Sequence, residues 1–170
     1  MSDELSAVVA VSGGEWNAST KLNLRDRKIN EVHFISRETQ TVTRGGKSFS
    51  MVMNVSYEIL LPSGNILLEN EQTGVQQNLC LNDSLKEELN SILASARICR
   101  NEKKPIQGTL CAQVLIPAYA KIVTDKEIFE LGAASDSCGS GATDLCGDSV
   151  TLLKGFISHI KNQINNLTCP

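Results

Sequence analysis

The chain has 170 residues, of which 41% are hydrophobic, and a net charge of −3. This length is enough for one domain with a substantial core, and the acidic balance gives no overall attraction to nucleic acid, although a local basic patch remains possible. No apolar run approaches the roughly 18 residues of a membrane span. The acidic, polar start MSDELS is unlike a secretory signal, so we expect a protein made in the cytoplasm without membrane contact.

The first half of the sequence predicts β-strands. Residues 7–11 and 20–24 predict an N-terminal β-hairpin around Gly13 and Gly14, with GEWNAS making the connection longer than a two-residue turn. Residues 31–43 predict a third strand. RGG at 44–46 then predicts a turn.

Residues 47–64 carry the clearest period-two pattern, and 65–71 suit a return strand. The apolar face of the long strand consists of Phe49, Met51, Met53, Val55, Tyr57, Ile59 and Leu61. The polar face consists of Ser48, Ser50, Asn54, Ser56 and Glu58. This alternation predicts a strand with one buried and one wet face.

Helical spacing follows. Ser84 and Glu87 form a capping-box pattern that predicts a helix over about 84–98. Residues 109–117 predict another strand, Thr124 and Glu127 are predicted to cap a short helix through KEIFELGAA, and 149–166 predict the last helix. Strands first and helices later indicate an α+β fold in one domain, residues 1–170, with an antiparallel sheet whose one face the helices cover.

The six cysteines form no Cys-x-x-Cys pair, and the chain has only two histidines, so we expect no metal site. Cys138 and Cys146 flank the loop-like GSGATDL and can form a disulfide if the compartment oxidises. The simplest interpretation of Cys80, Cys99 and Cys111 is small buried hydrophobes.

Catalytic motifs are scarce. RGGK at 44–47 lacks the frame of a phosphate-binding loop, and no nucleophile sits in a recognised elbow. His33, in a strand, and His159, on the last helix, are interpreted as ordinary surface or satisfied residues. We therefore expect no enzyme and no cofactor.

A binding surface fits the pattern better. If helices cover one face of the sheet, the polar face of the long strand stays bare, with Arg44 and Lys47 at its start. Hydroxyl and amide side chains near cations suit the phosphates and exposed bases of folded RNA. A plain solvated face is the alternative, and Glu58 argues mildly against RNA.

Three stretches resemble the coat protein of single-stranded RNA bacteriophages: AVVAVSGGEWNASTKLNL, INEVHFISRETQTVTRGGKSFSMVMNVSYEILLP and TLCAQVLIPAYAKIVTDKEIFEL. They are similar to the family's N-terminal hairpin, its central strands, and its last strand leading into the first C-terminal helix. The chain departs from the pattern in its greater length and in the helix predicted at 84–98, where the family has a loop.

The resemblance implies a dimer interlocked by C-terminal helices, which assembles in the bacterial cytoplasm into an icosahedral virion shell around genomic RNA. The inward sheet face would also grip an RNA hairpin and repress translation. Carried over by position, the RNA contacts would be Lys47, Ser48, Ser50, Asn54 and Ser56, with Arg44 as a weaker candidate. The alternatives are a β-rich structural or adhesive protein that binds no RNA, and an undetected enzyme.

Overall fold

The computed structural model describes residues 7–11, 14–104, 110–138 and 141–170, and for 7–11, 14–21 and 101–104 it describes the backbone alone. The strands are β1 Ala7–Val11, β2 Gly14–Asn23, β3 Ile29–Arg44, β4 Lys47–Leu60, β5 Asn65–Asn70, β6 Gln76–Cys80, β7 Arg97–Lys104, β8 Ala120–Thr124, β9 Ile128–Leu131 and β10 Thr143–Leu145. The helices are α1 Asp83–Ser95 and α2 Ser149–Gln163.

The strands form two antiparallel sheets, which confirms the α+β class. The larger sheet has six strands in the order β6-β5-β4-β3-β8-β9, and the smaller has four in the order β1-β2-β7-β10. The predictions for β3, β4, β5 and both helices are confirmed to within a few residues. These elements carry strong local periodicity, which is the signal that a sequence states most directly.

The N-terminal hairpin is present, but its predicted loop is wrong. The pairing of β1 with β2 continues to Val11 and Gly14, so GEWNAS belongs to a strand. On its other side β2 pairs with β7, from Glu15 opposite Lys104 to Asn23 opposite Arg97. The charged and polar residues 100–104 accordingly lie in strand β7. Both strands are extended because each provides the other with a backbone partner that is distant in sequence.

The predicted strand at 109–117 is wrong over its described part. Residues 110–115 have no regular structure, and Ile116 forms a single bridge with Ala134. This segment is held by the Cys111–Cys138 disulfide and by the backbone N–H of Ala112, which donates to Ser137 Oγ at 2.9 Å. Among the described residues no strand pairs with 110–115, so no ladder forms along this segment.

The predicted short helix after Thr124 is strand β9. Thr124 Oγ1 accepts a hydrogen bond from the Glu127 N–H at 3.1 Å and donates to the Glu127 carbonyl at 2.8 Å, which closes a turn between β8 and β9. Phe129 and Leu131 are buried, whereas Ile128 and Glu130 are exposed, so the period is two. The same hydroxyl chemistry that caps helices here closes a hairpin.

The predicted capping box of α1 is also replaced. The N-cap is Asn82, whose side-chain oxygen accepts from the Leu85 N–H at 2.9 Å, two residues before the predicted Ser84. Asparagine supplies the same acceptor that a serine would, so α1 starts two residues earlier than a Ser84 cap would place it.

One hydrophobic core joins the inward side of the six-stranded sheet to both helices. From the sheet it takes Phe34, which stacks on Tyr57 with ring centroids 4.6 Å apart. From α2 it takes Leu153, Phe156 and Ile160, all fully buried. No helix among the described residues is both long and apolar enough to cross a membrane.

All six cysteines are in disulfides: Cys80–Cys169, Cys99–Cys146 and Cys111–Cys138. The predicted Cys138–Cys146 bridge is therefore wrong. Cys80, Cys99 and Cys111, interpreted as small buried hydrophobes, are disulfide-bonded, and only Cys99 of the three is buried. Cys99 and Asp144 are register partners in β7 and β10, which brings the neighbouring Cys146 within reach of Cys99. The pairing of β7 with β10, which the sequence does not show, thus accounts for the Cys99–Cys146 bridge.

Candidate nucleic-acid interface

Both helices contribute buried residues to the core cluster, which lies on one side of the six-stranded sheet. The other side of this sheet holds the residues that alternate with the core residues along each strand. We call this other side the open face; its residues include Glu31, His33, Ile35, Arg37, Asn54, Ser56, Glu58, Leu60, Leu67, Glu69, Lys121, Val123, Ile128 and Glu130. Ile35, near its centre, is 50% exposed, whereas the neighbouring Phe34 is 2% exposed. The alternation of exposed and buried residues agrees with the predicted period of two, but the predicted bare-face residue Ser56 is buried.

The middle of the open face is not basic. The four carboxylates Glu31, Glu58, Glu69 and Glu130 outnumber the two permanent cations there, Arg37 and Lys121. Burial and then the nearby charge of Glu58 raise the pKa of Glu31. Lys121 is already engaged, because its Nζ lies 3.3 Å from Glu130 Oε1. The centre of this face is therefore a poor site for phosphates.

Ser56, a predicted RNA contact, lies in this central region. It is 7% exposed, and its Oγ is 2.8 Å from His33 Nε2. Asn54 is half-buried, with its backbone N–H donating to Gln72 Oε1 at 2.9 Å. Ser56 is thus held within the sheet, while Asn54 lies at the margin of the face beside the β5–β6 turn.

The Ser56–His33 pair also bears on the enzyme alternative, because a serine next to an imidazole is the start of a catalytic triad. Ser56 sits in mid-strand, between β3 and β5, and the ladders on both sides take up the backbone N–H groups around it. An oxyanion hole needs free donors converging beside the nucleophile. Nothing in the described surroundings of Ser56 supplies them, so we interpret the pair as a cross-strand hydrogen bond.

Beyond the sheet, β3 and β4 continue as a two-stranded arm, residues 38–53. The pairing with β8 ends at His33 and the pairing with β5 ends at Val55, whereas β3 and β4 stay paired to Arg44 and Lys47. The tip turns through Gly45 and Gly46 with φ of +59° and +77°. Positive φ at both central residues is the requirement of a type I′ hairpin turn, which glycine meets without strain.

The arm has two chemically different faces because side chains alternate along each strand. Its hydroxyl face continues the open face and consists of Thr39, Thr41, Thr43, Ser48, Ser50 and Val52. Thr43 Oγ1 and Ser48 Oγ lie 3.1 Å apart near the tip. The predicted contacts Ser48 and Ser50 belong to this exposed hydroxyl ladder.

Lys47 and Arg44 lie opposite each other at the tip, but on the other face of the arm, together with Phe49 and Met51. The predicted grouping of these cations with the serines is therefore wrong, since adjacent residues of a strand point to opposite sides. Of the two cations on the serine side, Arg37 is the one next to the arm; it is exposed and directly opposite Asn54. A two-residue turn at Gly45–Gly46 fixes this register, so the sequence contained the signal for Arg37.

Two further groups of polar side chains lie away from the open face and the arm. Within the described ranges the one cluster of potential metal ligands is Cys111, Asp136 and Cys138, and its two sulfurs form a disulfide. Tyr119 Oη donates to Asp144 Oδ1 at 2.5 Å, and Lys154 Nζ lies 4.6 Å from the Tyr119 ring centroid. Burial raises the pKa of Asp144. This network ties β10 and α2 to the start of β8, and we assign it a structural role.

Comparison of the chain with models of protein families, with curated proteins and with solved structures gave no match.

Proposed function

We propose that the chain is a non-enzymatic, self-assembling coat protein of an RNA-containing virion. The observation that carries the proposal is the combination of a sheet with helices on one side, an open face on the other, and a projecting arm. A subunit of a shell needs a wall-forming layer with a free inner surface, and it needs extensions that reach neighbouring subunits. The resemblance of three sequence stretches to coat proteins of single-stranded RNA bacteriophages supports the same function.

The disulfides are compatible with this setting. Disulfides persist on virions and other surfaces outside the reducing cytosol. Cys80–Cys169, Cys99–Cys146 and Cys111–Cys138 all join residues of one chain, so they stabilise the subunit itself. In this proposal they form after or during release of particles from the bacterial cytoplasm.

RNA contact is proposed for the hydroxyl face of the arm and the margin of the open face: Ser48, Ser50, Asn54 and Arg37. Arg37 supplies the phosphate contact, and the hydroxyl ladder supplies hydrogen bonds to backbone and unstacked bases. Lys47 and Arg44 contribute only to the electrostatic field of the tip, because their side chains leave from the opposite face. Affinity per subunit is modest, and many copies in one shell add their weak contacts.

The proposal includes a dimer with interlocked C-terminal helices as the building unit. α2 buries Leu153, Phe156 and Ile160 in the core of its own chain. A partner helix would therefore contact the outward side of α2, where Leu152 is 52% exposed. Repression of translation through one RNA hairpin also belongs to this proposal.

A β-rich structural or adhesive protein without RNA is the second candidate. Three disulfides and the acidic centre of the open face favour it, because neither feature helps to bind RNA inside a cell. The two candidates differ in nucleic-acid content and in the effect of charge reversal at Arg37.

We expect Arg37→Glu to weaken binding of a single-stranded RNA oligonucleotide several-fold. The slope of log affinity against log salt should become shallower by about 1, because one phosphate contact is lost. Fluorescence anisotropy across a salt series measures both quantities. Lys161→Glu, the same charge change on exposed α2, is the matched control and should keep the wild-type slope. Equal weakening by both variants would show a general charge effect and would remove the assignment of Arg37.

A further inference from the structure

The apolar face of the arm lacks a cover in the single chain. Phe49 is 42% exposed and Met51 37% exposed, and both lie on the side that continues the core face of the sheet. Val42, directly opposite Phe49, is half-buried. An aromatic, a methionine and a valine on one side of a two-stranded ribbon form a strip for contact with another surface.

The order of side chains along this strip is self-complementary. From tip to base the paired positions are Arg44 with Lys47, Val42 with Phe49, Gln40 with Met51, and Glu38 with Met53. Two cations thus stand at one end, a carboxylate at the other, and apolar groups in between. At about 3.4 Å per residue the four pairs extend over roughly 20 Å.

A two-fold axis between the Val42–Phe49 and Gln40–Met51 pairs uses this order. It places the Val42–Phe49 pair of one copy on the Gln40–Met51 pair of the other. It also places Arg44 and Lys47 of each copy beside Glu38 of the other, so both ends of the contact join opposite charges. A contact made twice by the same patch is the common form of a symmetric dimer interface.

We propose that two copies of this chain associate face to face through the apolar sides of their arms, in the register that pairs Arg44 and Lys47 with Glu38. In the proposed coat protein, this contact would join dimers into a larger particle. That role rests on the proposed function, whereas the contact itself does not. The occupant of the strip is a second copy because the charges at its two ends complement each other.

A groove at the base of the arm gives the partner's tip a place to fit. A cavity of about 470 Å³ lies there, with Val55, Leu68 and Ile164 in its apolar lining and Glu38 and Gln40 on the arm side. The Tyr57 hydroxyl donates to Glu38 Oε1 at 3.0 Å, which holds the carboxylate beside the cavity. The tip of a partner arm would therefore reach a formed recess with the carboxylate at its edge.

The test is a charge-swap mixture of nuclease-treated protein, followed by sedimentation velocity. One variant is Glu38→Lys, and the other carries Arg44→Glu with Lys47→Glu. Each variant alone brings like charges together at both ends, so we expect its arm association to weaken by about tenfold or more. In a 1:1 mixture, each contact between unlike copies restores opposite charges, and association should return to near the wild-type value.

The double variant Phe49→Ser with Met51→Ser replaces the two large apolar side chains of the strip, and it should also lose the association. Both positions are exposed in the single chain. Ile35→Ser, a matched change at an exposed residue of the open face, should keep it. Circular dichroism melts establish whether each variant is folded. If Glu38→Lys does not fold, the comparison of the Phe49→Ser, Met51→Ser double variant with Ile35→Ser decides the question. If the folded arm variants associate like wild type, or if the mixture of folded charge variants does not regain association, the proposed contact is wrong. The strip would then bind RNA or another partner.

The result separates this inference from the proposed function. Recovery by the mixture supports the arm contact even if the protein carries no RNA and forms no shell. Conversely, RNA-filled particles that assemble equally well from all arm variants would support the coat function and overturn the arm contact.

Discussion

Cys80→Ser combined with Cys169→Ser should lower the free energy of unfolding by about 4.5 kcal/mol, because the bridge closes the longest loop of the three. The bonded residues are 89 positions apart, against 47 and 27 for the other two bridges. Cross-linking distant residues removes more conformational entropy from the unfolded chain than cross-linking near ones. The bridge also fastens the C-terminal tail to β6, where the Cys80 N–H donates to the Leu167 carbonyl at 3.0 Å.

Urea unfolding of the oxidised proteins measures this loss. The comparison variant is Cys111→Ser with Cys138→Ser, for which the same relation gives a loss of about 3.5 kcal/mol. If removal of the Cys80–Cys169 bridge changes stability by less than about 1 kcal/mol, the tail is not fastened as described. The C-terminal tail would then add little to the subunit.

Phe156→Ala should lower the free energy of unfolding by about 3–5 kcal/mol, the range for a large aromatic side chain removed from a packed core. Phe156 has no exposed surface and belongs to the cluster that includes Tyr57 and Leu89. The substitution leaves a cavity between α2 and the sheet that the neighbours fill only in part. The size of the loss therefore reports how tightly α2 covers the inner face of the sheet.

Ser158→Ala on the same helix is the control, because Ser158 is exposed and lies outside the core cluster. We expect it to change stability by no more than about 0.5 kcal/mol, as surface substitutions usually do. Chemical denaturation of both variants gives the comparison. Similar small effects for the two would mean that α2 does not pack on the sheet in solution, and the one-sided arrangement of helices would be wrong.

The elements that the sequence predicted correctly are those whose evidence is local. The alternation along β4 and the apolar stripe of α2 are each contained in one stretch of chain. The errors fall where a distant partner decides. Residues 14–19 are in a strand because β7 lies beside them, whereas no strand of the described part of the chain pairs with 110–115. Thr124 shows the limit of capping rules, since one hydroxyl pattern serves both a helix start and a tight turn.

The candidate interface was predictable in outline but not in detail. One open sheet face follows from the alternation in β4. Its charge does not, because Glu31 and Lys121 come from other strands. The separation of Lys47 from Ser48 follows from the period of two alone, and Arg37 follows once the register of the Gly45–Gly46 hairpin is applied. The disulfides follow from no pattern, because six cysteines allow fifteen connectivities.

The central claim is that the open face and the arm serve assembly of many copies around RNA. The most direct measurement is electron microscopy of the purified product after the chain is expressed alone in bacteria, with the nucleic-acid content measured after nuclease treatment. We predict closed, uniform particles that contain protected RNA of the expressing cell. A monomer or small oligomer without nucleic acid would contradict this account.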